Sequence, residues 1–257
     1  STTHMTYPQS PWSLNDLFPS HDGPEMKAAF VDLDGMVSEF EALRPSLAAD
    51  MPVDAFLNAI RKLEAIHHLA MTIESYAQLA FAANTQDQAV QTFLGTVEDR
   101  MAGLENRVLF FSLWWKALDE AAAERLLANT GDYRYWLETV RQFRPHTLSE
   151  PEEKIINIKD VTGVKAINNL YDTITNRYVF KVEVDGEVQE LTRGELMVYA
   201  RHPNPDLRAA AYRELYRVYG DDGNLLGQMY QALVRDWHNE NIDLRHFASP
   251  ISVRNLV

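Results

Sequence analysis

Residues 90–118 read VQTFLGTVEDRMAGLENRVLFFSLWWKAL, and this stretch decides the fold class. Val90, Leu94, Val97, Met101, Leu104, Val108, Phe111, Trp115 and Leu118 recur in alternating steps of four and three. That spacing is a heptad seam, which predicts a long helix packed left-handed and nearly parallel against its neighbours. Two partners lie upstream. From Met26 the apolar positions Phe30, Leu33, Val37, Phe40, Leu43 and Leu47 repeat at helical spacing, after Pro24 at a first helical position; Pro45 falls near the end of the run and kinks or ends it. Phe56, Ile60, Leu63, Ile66, Ala70, Ile73, Ala77 and Ala80 form a second stripe, for which Asp50 is the expected cap and Asn84-Thr85 the break. Three long helices joined by short turns predict a mostly α fold, an elongated antiparallel bundle. With partners inside the chain, a two-chain coiled coil is disfavoured.

Shorter elements follow. Helices are expected over 120–128 and from Asp132 to about Arg144, stopping before Pro145. Ser149-Glu-Pro-Glu152 is a capping box, and Thr162 is the expected cap of a further helix to about Ile174. The period then changes to two. Tyr178, Phe180, Val182 and Val184 alternate with Val179, Lys181 and Glu183, and Asp185-Gly186 leads into Glu187 to Leu191. An Asp-Gly pair between alternating runs predicts one small antiparallel β-hairpin, about 177–191. A lone hairpin is marginal in water, so it must pack on helices or join other strands. Thr192-x-x-Glu195 caps the return to helix, and His202-Pro-Asn-Pro205 is a rigid turn. Helices follow over Asp206–Tyr219 and from about Asn224 to Arg245, separated by Gly220-Asp-Asp-Gly223, and Ser249-Pro250 opens a last one. The expected organisation is an expression scar over 1–5, an extended lead-in over Trp12–Ser20, a long-helix subdomain over 6–145, and a helical subdomain with the hairpin over 146–257.

The chain of 257 residues carries 24 Lys+Arg against 37 Asp+Glu, a net charge of −13. That balance disfavours nucleic acid and anionic membrane as partners, since both need clustered positive charge. Without cysteine, disulfides and thiolate metal sites are excluded, which fits a reducing, cytoplasmic setting. No apolar run is long enough to span a membrane.

Candidate chemistry is sparse. Glu64-x-x-His67 has di-iron helix spacing, but such a site needs a second copy and two more glutamates; a hydrogen-bonded core or boundary histidine is the favoured reading. His238-Asn-Glu240 has the wrong spacing for a zinc helix and reads as a solvated face. Trp114-Trp115 with Phe110-Phe111 reads as core before it reads as a ligand platform. Glu152-Glu153 suits a helix first turn and Asp221-Asp222 a turn, and neither pair has a partner that would make it an acid–base pair. There is no phosphate loop, no Gly-x-Ser-x-Gly elbow and no His-Glu-x-x-His. No catalytic or metal residue is assigned, and substrate-binding residues are unknown.

Four stretches nonetheless match one family in order. Trp12-Ser-Leu-Asn-Asp-Leu-Phe18 resembles the opening of oligoendopeptidase F proteins, and Arg144-Pro-His-Thr-Leu-Ser-Glu-Pro-Glu-Glu153 resembles their Arg-Pro-His-x-Leu-Ser-x-x-Glu-Glu segment. Asn204-Pro-Asp-Leu-Arg-Ala-Ala-Ala-Tyr212 is similar to a family helix. Arg245-His-Phe-Ala-Ser249 resembles Arg-Gly-Tyr-x-Ser, with His246 in place of glycine, so the local backbone is expected to differ. The resemblance implies the N-terminal portion of a thimet-oligopeptidase-like zinc metallopeptidase, truncated before the zinc-binding core. In that family, short peptides are cut in a channel between helical halves, with zinc held by two histidines and a downstream glutamate. For this chain it implies a channel wall and substrate gate, inactive alone, binding no zinc itself, whose partners are short peptides and the missing catalytic half. The alternative is a stand-alone interaction or self-associating module using the heptad face of 90–118.

Overall fold

The computed structural model describes residues 12–256. The expected scar over 1–5 lies outside the described residues. The chain divides into two compact units. One is built on residues up to Phe111 together with Leu118–Thr130, the other on Ser112–Ala117 together with residues from Gly131 onward.

In the first unit, the segment around Leu14–Phe18 is a turn rather than an extended lead-in. Leu17 and Phe18 both donate backbone hydrogen bonds to the Leu14 carbonyl, and Phe18 is buried edge-on against Tyr76. Helix α1 (Pro24–Glu41) begins with Pro at its first position, and Pro45 falls in the short 3₁₀ turn Arg44–Ser46. Helix α2 (Val53–Ala83) starts after Pro52, which has no capping side chain, so Asp50 is not its cap. Proline fixes an extended approach there, and the chain enters the helix two residues later than a cap at Asp50 would have it. Helix α3 (Gln88–Ala117) carries the heptad seam: Leu94, Val97, Met101, Val108, Phe111 and Trp115 are buried.

Side-chain contacts fix the helix directions. Lys62 of α2 reaches Glu39 of α1, so these two helices run antiparallel. Phe56 stacks on Phe111, His67 lies 3.8 Å from Glu105, and Tyr76 meets Phe93, so α2 and α3 are also antiparallel. Arg100 covers Phe30 while Phe40 meets Phe110 and Phe111, so α1 and α3 run parallel. The three helices alternate in direction around a core of Phe40, Phe56, Phe111, Leu33, Ile60 and Ile73. Helix α4 (Glu120–Leu127) is capped by Asp119, whose carboxylate accepts from Ala122 N at 2.8 Å. Arg125 of α4 donates to the carbonyls of Ala49 and Met51, which holds the turn before α2.

In the second unit, helix α5 (Arg134–Gln142) follows a 3₁₀ turn, and Pro145 sits in a further one, Arg144–His146. The Trp115 indole donates to the Leu137 carbonyl at 2.9 Å, and Arg141 donates back to the Trp115 carbonyl at 2.8 Å. These two bonds tie α5 to the end of α3, and α5 belongs to this unit.

Helix α6 (Glu150–Asp160), with the Ser149–Glu152 capping box, passes through a π turn (Val161–Lys165) into α7 (Ala166–Thr175). Thr162 therefore caps nothing. It lies inside one continuous helical path, and the inserted residue of the π turn disguises the junction.

The hairpin is β1 (Phe180–Val184) and β2 (Glu187–Leu191), antiparallel, with Phe180 opposite Leu191 and Val184 opposite Glu187. Its loop residues Asp185 and Gly186 have φ of 52° and 86°, as a type I′ turn requires. Helices α8 (Arg193–Tyr199) and α9 (Pro205–Asp221) cover its inner face, burying Phe180, Val182 and Leu191 with Leu196, Ala211 and Val218. The outer backbone of β1 is met as well, since Lys181 N donates to Glu214 of α9 at 2.8 Å. Asp222 separates α9 from α10 (Gly223–His238), which continues through a π turn to Leu244, and α11 (Pro250–Asn255) closes the described chain.

Candidate functional site

Helix α6 ends its first turn with Glu153, and the π turn after α10 delivers Arg245. The two form a bidentate pair: Nη1 donates to Oε1 and Nη2 to Oε2, both at 2.8 Å. Arg245 Nε also donates to Glu240 at 2.8 Å, so the guanidinium bridges two carboxylates. Both partners of the bidentate pair are nearly enclosed, with side chains 16% and 10% exposed. The fork geometry of arginine matches a carboxylate, and the bonds are charge-assisted. Burial alone would push the Glu153 carboxyl up; the Arg245 bonds, the Leu148 N–H and the charges of Arg245 and Lys116 outweigh it and hold the group below the usual glutamate range.

Histidine 146 completes the junction. Its Nδ1 bonds the Arg245 carbonyl at 2.8 Å, and its ring stacks on Phe247 at 3.6 Å between centroids. Arg245 donates in return to the His146 carbonyl at 3.2 Å. Between them, His246 takes φ 58°, the left-handed region that favours glycine. His246 therefore holds, at a cost, a conformation that glycine would adopt freely. Lys116 sits nearby, its ammonium lowered from the usual lysine range by burial and by Arg245, against the pull of Glu153.

A second cluster adjoins this one. Asp160, Asp236 and Glu240 bring one carboxylate oxygen each within 4.8 Å of one another. Burial, then Glu240 and Asp236, raise the Asp160 carboxyl above its usual range. This is the single such triad among the described residues, and it contains no imidazole. Zinc sites are built from histidine and cysteine with at most some carboxylate, and Glu240 is already engaged by Arg245. The residues present do not fit zinc.

The other sequence candidates resolve singly. Glu64 and His67 are both exposed, so His67 is not a core histidine; it faces Glu105 at 3.8 Å and no second Glu-x-x-His joins them. Trp115, Phe110 and Phe111 are buried core and Trp114 is half-buried beside Trp115. Glu152 closes the capping box on Ser149. Asp222 accepts from the Tyr178 hydroxyl at 2.7 Å, and burial with that bond raises the Tyr178 phenol. His238 is solvated beside Asp243 at 3.5 Å, but Glu240 is half-buried under Arg245 and so departs from the solvated face expected for it. Glu153 also departs from expectation: it has a partner, 92 positions away, and the pairing is a clamp rather than an acid–base couple. Local spacing could not find it. The available signal was that two of the four family-like segments carry Glu153 and Arg245.

Alternating long helices followed by a hairpin-bearing helical unit make this a mostly α chain. A model described as oligopeptidase F matches residues 114–180, which span α5, α6, α7 and the clamp residues His146 and Glu153. Oligopeptidase PepF of Bacillus subtilis (strain 168) is 24% identical over 107 residues, covering 40% of this chain and 16% of that protein. The crystal structure of oligoendopeptidase-F from Enterococcus faecium superposes with a TM-score of 0.75 at 20% identity, over 90% of this chain and 46% of that one. Together these matches support the chain as an N-terminal portion of an oligoendopeptidase F family protein. It spans less than half the length of either relative.

Proposed function

We propose that this chain is the channel-wall and substrate-gating region of a cytoplasmic zinc metalloendopeptidase acting on short peptides. By itself it has no peptidase activity and holds no zinc. The observation that carries the reading is helix α10. None of its 16 residues is buried, yet it presents Leu225, Tyr230, Val234 and Trp237 to solvent, with Tyr230 70% exposed. Leu170 and Tyr171 of α7 extend the same kind of surface. Apolar faces of this kind in soluble proteins mark contact surfaces. In this reading α10 is covered by a zinc-bearing half that completes the channel.

In the first unit, the seam residues Leu94, Val97, Met101, Val108 and Phe111 are buried, and Phe111 meets Phe40 of α1 and Phe56 of α2. A self-associating module built on that seam would have mainly its half-buried positions, Val90 and Leu104, to offer. Three measurements test the proposal. Zinc analysis and a quenched-fluorescent peptide assay on the pure chain should both be blank. A His-Glu-x-x-His half of an oligoendopeptidase F, supplied in trans, should bind the chain and lose binding in Tyr230→Glu and Val234→Glu. Peptide cleavage by the pure chain, or capture of that half unaffected by either variant, would overturn it.

A further inference from the structure

Lys27, Phe30, Val31 and Asp34 of α1 stand at i, i+3, i+4 and i+7, and so do Arg100, Gly103, Leu104 and Arg107 of α3. The two stripes face each other across a groove of 630 Å³ within the first unit. Because α1 and α3 run parallel, the stripes are in register: Arg107 pairs with Asp34, and Arg100 lies 4.5 Å over the Phe30 ring. Phe30, Val31 and Leu104 give the groove an apolar lining, and Val31 is 71% exposed.

The two ends differ in charge. At the Arg107 end the cation is satisfied, since Asp34, Glu41 and Ser38 all accept from it. At the other end stand Lys27 of α1, one turn before Phe30, and Arg100 of α3, over the Phe30 ring. Among the described residues, neither side chain forms an ion pair or hydrogen bond; Lys27 feels Asp22 through charge alone, and Arg100 has only the aromatic face beneath it. In a chain of net charge −13, an apolar trough flanked by two cations that form no carboxylate ion pair among the described residues is complementary to a carboxylate-bearing, partly apolar ligand.

We propose that this groove is a docking site for an acidic peptide segment. Its apolar side chains lie on Phe30, Val31 and Leu104, and its carboxylates reach Lys27 and Arg100. Gly103 lies on the groove's lining: a Cβ built there meets no heavy atom within 4 Å, so a larger side chain enters the groove without displacing the helix.

The probe is a fluorescein-labelled peptide of alternating glutamate and leucine, titrated by anisotropy against the whole chain. Lys27→Gln with Arg100→Gln, and separately Gly103→Leu, should each weaken binding at least tenfold while far-UV circular dichroism is unchanged. Raising salt should weaken the wild-type complex, as for exposed ion pairs. In the wild-type chain, amide resonances of 27–34 and 100–107 should shift on peptide addition, which tests the site without any variant. No binding by wild type, binding by either variant as tight as wild type, or shifts confined to other residues would overturn the assignment.

Discussion

Arg245 and Glu153 share two parallel hydrogen bonds of 2.8 Å although they are 92 positions apart. They fasten the start of α6 to the end of the α10 path. The His146 ring and the Phe247 ring close the same junction from its other side. Removing one partner of an enclosed pair leaves the other charge uncompensated, which costs more than the pair contributes net.

Glu153→Gln should therefore destabilise the protein by about 3 kcal/mol, seen as an earlier midpoint in urea unfolding at pH 7. The sign of the pH dependence follows from the carboxyl's lowered value. Folding keeps Glu153 ionised below its ordinary 4.5, so the stabilisation is complete above that pH and is lost as pH falls through the folded value. Wild type and E153Q should converge in acid. A constant gap down to pH 3 would contradict the clamp.

Asp160 should show the opposite profile. Its carboxyl is raised from 3.8 by burial and by Glu240 and Asp236, so ionisation is a penalty in the folded state. The penalty is absent below pH 3.8 and full once pH exceeds the folded value. Asp160→Asn should stabilise by about 0.5 kcal/mol at pH 7, after solvent screening, and by nothing at pH 3.5. Thermal melts at the two pH values check this.

His246→Gly should raise stability by about 1 kcal/mol. The residue sits at φ 58°, where a Cβ clashes with the backbone and glycine does not. Calorimetry reads the gain, and His246→Ala serves as control because it keeps the Cβ and should give none.

Trp115→Phe should cost about 2 kcal/mol. The indole is 1% exposed and its N–H donates to the Leu137 carbonyl; phenylalanine removes that bond and leaves the space under-filled. Hydrogen exchange should quicken in α5 before it quickens in α1 or α2.

The chain's periodicities determined much by themselves. The 4–3 spacing of residues 90–118, the stripes of α1 and α2, and the Asp185-Gly186 turn each encode a local conformation through side-chain direction and backbone sterics. Those effects act over a few residues, so they are legible in one sequence. The π turns at Val161–Lys165 and Asn239–Leu244 escaped notice because one inserted residue breaks the period without a turn signal. The Glu153–Arg245 clamp, the meeting of Asp160 with Glu240, and the facing stripes of Lys27 and Arg100 were decided only by tertiary structure. Their energies depend on distance in space and on burial, and neither is set until the helices have packed.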